Sequence, residues 1–463
     1  MSAAVRFDRD LIRRYDCFGP RYTSYPTAAQ FRPDFTAADY RAAALASNDS
    51  RVPAPLSIYM HIPFCASPCF YCGCSKIITR NAGTAAAYVA QLQREIALQG
   101  ALFDARREVR QIHLGGGTPT FLSSEQLAGL LDALGRSFQL SSASDREYGI
   151  EVDPRTTGPG AIEALAAMGF NRLSLGVQDF DPDVQRAVNR VQLPEEAESV
   201  IERGRASGFR SISVDLIYGL PLQTPQRFGA TLDRLIRSQP HRIAVYAYAH
   251  LPRMFKAQRR IREADLPTPE VRLELLGATI EKLIGAGYEY VGMDHFAKPQ
   301  DELIKARDEG TLQRNFQGYS THAHCDVVGL GVTAIGSVAQ TFSQNYKTLT
   351  DYGRAIENAL LPVQRGLTLT DDDRARAAVI QELMCYGRIS RGAVSQRFHV
   401  DFDDYFADEL NRLRSFEDDG LLSVRPESIE VTPAGRLLLR NIAMVFDAYL
   451  SRGAQAPMYS RAI

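Results

Sequence analysis

The chain reads as an α/β protein, a partial (β/α)6 barrel with an N-terminal arm and a small C-terminal, mostly helical, winged-helix-like domain. Three observations predict it. Six short apolar, β-branched runs recur, each followed by a helix-length amphipathic segment. Such alternation builds a parallel sheet with helices packed outside it. A cysteine-rich stretch and a glycine-rich stretch directly follow the first two runs, where the strand-tip loops of α/β sheets carry chemistry. The pattern then changes near residue 363. A chain of 463 residues exceeds one compact core, and the expected divisions are an arm over 1–52, a catalytic α/β domain over 53–362 and a C-terminal domain over 363–463.

Taken in order, the runs predict strands over 56–64, 109–114, 148–152, 172–177, 211–217 and 242–248. Helices are expected over 85–99, where Val89, Leu92 and Ile96 share one face, and over 123–138, 160–168, 224–238 and 271–286. Past the sheet, Thr370-Asp-Asp-Asp373 reads as an N-cap leading a helix to about Cys385. A second helix over 402–419 stops at Gly420, segments 421–424 and 428–431 form a hairpin, and a last helix covers 433–450. The DNA-binding reading of this winged-helix-like pattern is set aside, because no basic patch accompanies it; a lid or packing domain is expected.

Hydrophobic residues at 45%, charged residues at 23% and a net charge of −1 are ordinary globular values. They exclude a polyelectrolyte argument for nucleic acid or an anionic membrane. The N-terminus lacks the apolar stretch of a signal peptide, and no apolar run approaches the ~18 residues needed to span a bilayer. A reducing, cytoplasmic setting is the expectation.

The chemistry centres on Cys65, Cys69, Cys72 and Cys74, in Met60-His-Ile-Pro-Phe-Cys-Ala-Ser-Pro-Cys-Phe-Tyr-Cys-Gly-Cys74. The first three form C-x3-C-x2-C, too tight for structural zinc sites built from two clips across a longer loop. It suits one loop wrapped around a face of a cubic iron–sulfur cluster, for which thiolates are the preferred ligands. Three ligands on four irons leave one iron open to a substrate or cofactor. No downstream Cys or His pair supports a zinc knuckle, and the ferredoxin run C-x2-C-x2-C-x3-C-P is absent. Cys17, Cys325 and Cys385 are expected to be small buried hydrophobes.

Gly115-Gly-Gly-Thr-Pro-Thr120 follows the second strand. Its glycines either make a tight turn or let backbone N–H groups approach a ligand; the Lys of a phosphate loop is missing. Asp215 lies within an apolar strand, and Glu151 raises the same question one strand earlier. A buried carboxylate needs partners, either a neighbouring Arg or a ribose diol. Gly329-x-Gly331-x-x-Ala334 matches the dinucleotide fingerprint only loosely and lacks a βαβ unit. A Rossmann reading is rejected there, and the lone His295 is assigned no role.

The cysteine signature after strand one, the glycine loop after strand two and the sixfold alternation together resemble the radical S-adenosylmethionine (SAM) superfamily. Tyr22-Thr-Ser-Tyr-Pro26, His61-Ile-Pro-Phe-Cys65, Cys72-Gly-Cys74, Gly176-Val-Gln-Asp-Phe180, Asp215-Leu-Ile-Tyr-Gly-Leu-Pro221, Gly292-Met-Asp-His-Phe296 and Phe316-Gln-Gly-Tyr319 narrow the likeness. They resemble the bacterial oxygen-independent coproporphyrinogen III oxidase (dehydrogenase) family, from about residue 20 to the C-terminus. The resemblance implies a radical SAM barrel with a [4Fe-4S] cluster and two SAM molecules. Cys65, Cys69 and Cys72 would be the metal ligands, with Cys74 beside the cluster. Tyr59, Gly116, Glu151 and Ile335 would hold the SAM on the iron. Gly117, Thr118, Gln178, Arg190, Asp215 and Ala249 would hold the second, with Tyr71 (where the family pattern has Phe) beside it, and Arg21, Tyr22 and Tyr25 would close the site.

The implied reaction starts when the reduced cluster cleaves SAM to a 5′-deoxyadenosyl radical. The radical abstracts hydrogen from the β-carbon of a substrate propionate. Loss of CO2 and of one electron leaves a vinyl group, and two rounds turn coproporphyrinogen III into protoporphyrinogen IX. The partners would be a tetrapyrrole substrate, an electron donor and a separate acceptor, with the enzyme a monomer. A haem chaperone of the same family and a radical SAM methyltransferase are the rival functions. Cys74 and the Tyr22–Pro26 arm argue against the chaperone, which lacks both.

Overall fold

A computed structural model describes residues 5–451 and 459–461. Among the described residues thirteen strands form the principal sheet, twelve of them on one path: β1 (Leu56–Ile62), β2 (Glu108–Gly116), β3 (Glu147–Val152), β4 (Arg172–Gln178), β5 (Ser211–Tyr218), β6 (Arg242–Ala247), β7 (Glu289–Gly292), β8 (His295–Ala297), β9 (Asp326–Leu330), β10 (Ile335–Val338), β11 (Thr341–Asn345) and β12 (Val363–Thr368), while the short strand Gln139–Leu140 pairs with β2 off that path. Their order is β7-β8-β6-β5-β4-β3-β2-β1-β9-β10-β11-β12. The run β6-β5-β4-β3-β2-β1-β9 is parallel, with antiparallel strands at both edges. The sheet is open rather than closed on itself, as the partial-barrel reading requires. All six predicted strands are present. The seventh parallel strand, β9, and the antiparallel extension behind it were not anticipated.

Period-two alternation determines which residues face the site. In β5, Ile212, Val214 and Leu216 are buried while Ser213, Asp215 and Ile217 face the other way. In β4, Ser174, Gly176 and Gln178 take that same partly open face. Glu151 in β3 and Tyr59 in β1 are the single partly open residues within their otherwise buried strands, first residue of β3 aside. The opposite face packs on helices, including Ala82–Gly100 and Pro225–Ser238, to form the main core of Leu92, Ile96, Ile150, Val214 and Leu232. Among the described residues no helix is long and apolar enough to cross a membrane.

The helix Asp371–Tyr386 begins as expected on a capping box. The Asp373 N–H donates to Thr370 Oγ1 at 3.1 Å and the Thr370 N–H to the Asp373 carboxylate at 3.0 Å, an arrangement that contributes about 1 kcal/mol. Beyond it, two expected helices are broken. Segment 402–419 divides into Phe402–Tyr405 and Ala407–Asp418, because Phe406 leaves helical geometry to bury its ring against Phe402, Tyr405 and Phe446. Segment 433–450 divides into Gly435–Leu438, Leu439–Met444 and Ala448–Ser451. Asp447 interrupts it by accepting from the Tyr22 hydroxyl and the Tyr449 N–H, both at 2.9 Å. The hairpin Leu422–Val424 and Ser428–Val431 forms, joined by the unforeseen strand Arg388–Ser390.

The arm is not a free extension. Tyr22 and Tyr25 pack with Leu383, Ile442 and Phe446 of the C-terminal region, while Tyr40 and Ala44 join the main core. Of the three cysteines expected to be buried, only Cys385 is; Cys17 is exposed and Cys325 is partly so. Cys17 sits on the arm's surface, where Asn441 Nδ2 donates to its sulfur at 3.3 Å.

Candidate active site

The loops after β1 and β2 are bound to each other. The Gly117 N–H donates to Ile62 O and the Thr118 N–H to Phe64 O, both at 2.8 Å. The cysteine loop is then closed on itself: Phe64–Cys65 pairs in parallel with Ile77–Ile78, and the Ile77 N–H donates to Pro63 O at 2.7 Å. The three glycines are needed for this packing. A Cβ at Gly115 would lie 2.6 Å from Glu151 Oε1, one at Gly116 2.4 Å from the His61 ring, and one at Gly117 2.7 Å from the Pro63 and Phe64 carbonyl oxygens. Gly116 also has φ +115, a conformation that disfavours side chains.

The loop places Cys65, Cys69, Cys72 and Cys74 on one cavity of about 490 Å³. Two guanidiniums approach Cys69 Sγ, Arg190 Nη1 at 3.6 Å and Arg155 Nη2 at 3.9 Å. Both also pair with Asp153, at 3.2 and 2.6 Å. Two positive charges against one carboxylate leave a surplus beside the Cys69 sulfur. A hydrogen bond from Cys74, opposed by burial and helped by Lys76, holds the Cys72 thiol well below the usual range. Burial pushes Cys65 up.

The sheet supplies the opposite wall. Gly116, Gly117, Thr118, Glu151, Gln178, Arg190 and Asp215 line the same cavity, with Tyr71 contributed by the loop. Neither carboxylate is satisfied by an arginine. Glu151 accepts from the Gly116 N–H at 3.1 Å and lies 3.3 Å from His113 Nε2. Burial works to raise its pKa, but these partners outweigh it and the carboxyl stays below its usual value. Asp215 has weaker support: burial, then the charge of Glu151, pushes it up to about 7. Gln178 has φ +71, where the β4–β5 register slips and aims its side chain into the cavity wall.

A second, larger cavity of about 860 Å³ lies alongside. Tyr59 and Ile335 line it together with Tyr22, Thr23, Ser24 and Tyr25 of the arm and Ile380 and Gln381 of the C-terminal helix. Arg21 is not among its lining residues; it pairs with Asp294. Cys74, Gly116 and Glu151 line both cavities. Ala249 lines neither of these two cavities. Its carbonyl accepts from Gln258 Nε2 at 3.2 Å, and the same nitrogen donates to Tyr71 O at 2.9 Å, so Ala249 is tied to the cysteine loop at one remove.

Several site residues escaped the sequence reading. His61, within a quoted motif, meets the Tyr59 hydroxyl through Nδ1 at 3.0 Å and Ser75 O through Nε2 at 2.9 Å. It thereby supports β1, the glycine loop and the end of the cysteine loop together. Asp153 and Arg155 follow Glu151 by two and four residues and could have been flagged as a charged pair at a strand tip. Among the described residues no three His, Cys, Asp or Glu side chains are grouped for one metal ion. Thiols spread around a cavity fit a larger, multi-iron group, for which cysteine sulfur is the usual donor.

The model of the radical SAM superfamily matches residues 59–235, and that of the HemN C-terminal domain matches residues 369–438. The oxygen-independent coproporphyrinogen III oxidase of Pseudomonas aeruginosa is 49% identical over 451 residues, covering 97% of each chain. That of Escherichia coli K12 is 45% identical over 460 residues, covering 99% of each. This chain belongs to the oxygen-independent coproporphyrinogen III oxidase family. The solved structure of coproporphyrinogen III oxidase (HemN) from Escherichia coli, a radical SAM enzyme, matches with a TM-score of 0.91 at 45% identity, covering 96% of this chain and 100% of that one. Membership implies a [4Fe-4S] cluster and SAM, and the thiol-lined cavity fits both.

Proposed function

We propose that this chain removes CO2 from two propionate side chains of coproporphyrinogen III, leaving vinyl groups, without O2. One observation carries the reading beyond kinship: the thiol-lined cavity and the 860 Å³ cavity share a wall of only Cys74, Gly116 and Glu151. A reactive species made in the first has a short path into the second, whose size lies within the ~300–1,000 Å³ of organic-ligand sites. When bound, the cluster and SAM supply a 5′-deoxyadenosyl radical that takes a β-hydrogen from a propionate.

The chain's own residues do the rest. Cys65, Cys69 and Cys72 would hold the cluster, and Arg155 and Arg190 lie against the Cys69 sulfur. Glu151, kept ionised by the Gly116 N–H and His113, would hold the SAM on the iron together with Tyr59, Gly116 and Ile335. Gly117, Thr118, Gln178, Arg190 and Asp215 take a second SAM, with Ala249 acting through Gln258 and Tyr71. The arm and residues from about 363 onward roof the substrate cavity. An external reductant and a separate acceptor complete the electron balance. The divisions near residues 52 and 362 mark the pieces that supply these parts.

Anaerobic protein reconstituted with iron and sulfide, given coproporphyrinogen III, SAM and a low-potential reductant, should release CO2 and yield protoporphyrin fluorescence after oxidation. A methylated tetrapyrrole, or haem binding without turnover, would replace this reading. A second expectation concerns Asp215. Ribose hydroxyls donate to a carboxylate better than to its protonated form, so SAM affinity of the reconstituted protein should climb from pH 6 to 8 and level off above the Asp215 value of about 7. Asp215→Asn should weaken binding by about 1–3 kcal/mol at pH 8 and flatten the profile. Anaerobic calorimetry reads both; a wild-type profile independent of pH would refute the assigned role.

A further inference from the structure

The hairpin Gln313–Asn315 and Gly318–Ser320 enters the wall of the larger cavity and is held from behind by the helix Asp371–Tyr386. The Tyr319 hydroxyl donates to Met384 O at 2.8 Å, and the Tyr386 hydroxyl donates to Leu312 O at 2.7 Å. The Gln381 amide pairs with the backbone of Arg314. This clamp presents one unusual side chain. Arg314 is 5% exposed and lines the cavity, yet it stands in no ion pair with a carboxylate of the described residues, and its Nη1 has no hydrogen-bond partner. Its Nε donates only a long bond, 3.4 Å, to Arg21 O, and its guanidinium lies 4.9 Å from the centre of the Tyr319 ring.

A buried cation without a counter-charge is costly, and its surroundings register the surplus. Burial and then Arg314 lower the pKa of Arg21, while His295 is pushed down by burial, Arg314 and Arg21. The carboxylate at hand, Asp294, is already paired with Arg21. The other arginines on the cavity are less demanding: Arg374 is paired with Asp371 at 2.9 Å and Arg397 is exposed. Gln317 Nε2, on the turn of the same hairpin, is a second buried donor without a partner.

Resting on the proposed function, we propose that Arg314 binds a propionate carboxylate of the tetrapyrrole, with Gln317 donating to the same group. A guanidinium fork matches a carboxylate bidentately. The contact would set how the macrocycle lies in the cavity, and so which propionates face the wall shared with the thiol-lined cavity. Arg314 is on this account a specificity-determining contact, distant from the hydrogen abstraction itself.

The test uses the reconstituted full chain and coproporphyrin III, the stable oxidised form of the substrate, followed by fluorescence. Arg314→Gln should raise the Kd about tenfold or more, Arg314→Lys less, and neither should change the iron content. In wild-type protein the uncharged tetramethyl ester should bind at least about tenfold more weakly than the tetra-acid, and coproporphyrin III should slow hydrogen exchange of amides 312–320. Equal binding of acid and ester, or an unprotected hairpin, overturns the proposal even where the variants do not fold. An unchanged Kd in folded Arg314→Gln overturns it as well, while wild-type turnover of coproporphyrinogen III leaves the function standing. Wild-type protein without that turnover sinks the function instead.

Discussion

Cys69→Ala should abolish decarboxylation and SAM cleavage together, by at least about three orders of magnitude. On the proposed ligand set, losing one of three cysteines would leave a four-iron cluster with too few anchors, and Cys69 is the thiol toward which Arg155 and Arg190 point. The iron content of anaerobically reconstituted protein and its EPR spectrum after reduction measure the effect. Because the Cys69 thiol borders a cavity and alanine removes a single heavy atom, the fold should persist and circular dichroism should stay close to wild type. A variant with its full iron complement and normal turnover would remove Cys69 from the ligand set.

Arg190→Met should cost about 3 kcal/mol of stability, the lower end of the range for breaking a buried charge pair, because Arg155 still attends Asp153. The Arg190 side chain joins three elements: Asp153 after β3 at 3.2 Å, the Gly176 carbonyl in β4, and Cys69 Sγ at 3.6 Å. For a chain of this length the loss corresponds to a fall of about 3 °C in melting temperature, read by calorimetry on the cluster-free protein. Arg190→Lys should recover little, since an ammonium cannot reach carboxylate, carbonyl and sulfur as the fork does. An unchanged melting temperature in Arg190→Met would show the linkage to be inert.

The parts of the fold visible in the sequence are those with strong local signals. Each of the six expected strands carries a run of apolar residues beside a helix of regular period, and Asp215 stood out as a carboxylate amid such a run. The extension β9–β12 lacked that signal. Strand β11 is wholly buried although its residues include Ser343, Gln344 and Asn345, because distant polar groups satisfy it. Asn345 Nδ2 donates to Glu95 Oε1 at 2.7 Å, and the Gly331 N–H and the Tyr352 hydroxyl donate to Glu95 Oε2 at 2.6 and 2.7 Å. Burial pushes Glu95 up to about 7. Its partners lie more than 230 residues away, so no window of sequence could reveal that this helix carries a buried carboxylate. The same holds for Gly329 and Gly331, whose missing side chains make room for the Ile335 backbone and the Tyr88 hydroxyl.

The thiol loop was legible from spacing, but its contacts with Arg155 and Arg190 were not, since these reach Cys69 from the segments that follow β3 and β4. The glycine loop was recognised, and the neighbours that forbid a side chain there are protein atoms. Arg314 gave no sign of its isolation, which exists only once the hairpin meets the helix behind it.

The Tyr22–Asp447 contact spans 425 residues, and this separation has a bearing on biosynthesis. A nascent polypeptide emerges arm first, and domains generally fold as they leave the ribosome. The thiol loop and its supporting strands can therefore be complete while the roof over the tetrapyrrole is still untranslated. The chamber proposed for the pigment precursor is the last part made, so a truncated product would acquire its metal yet have no enclosure in which to use it.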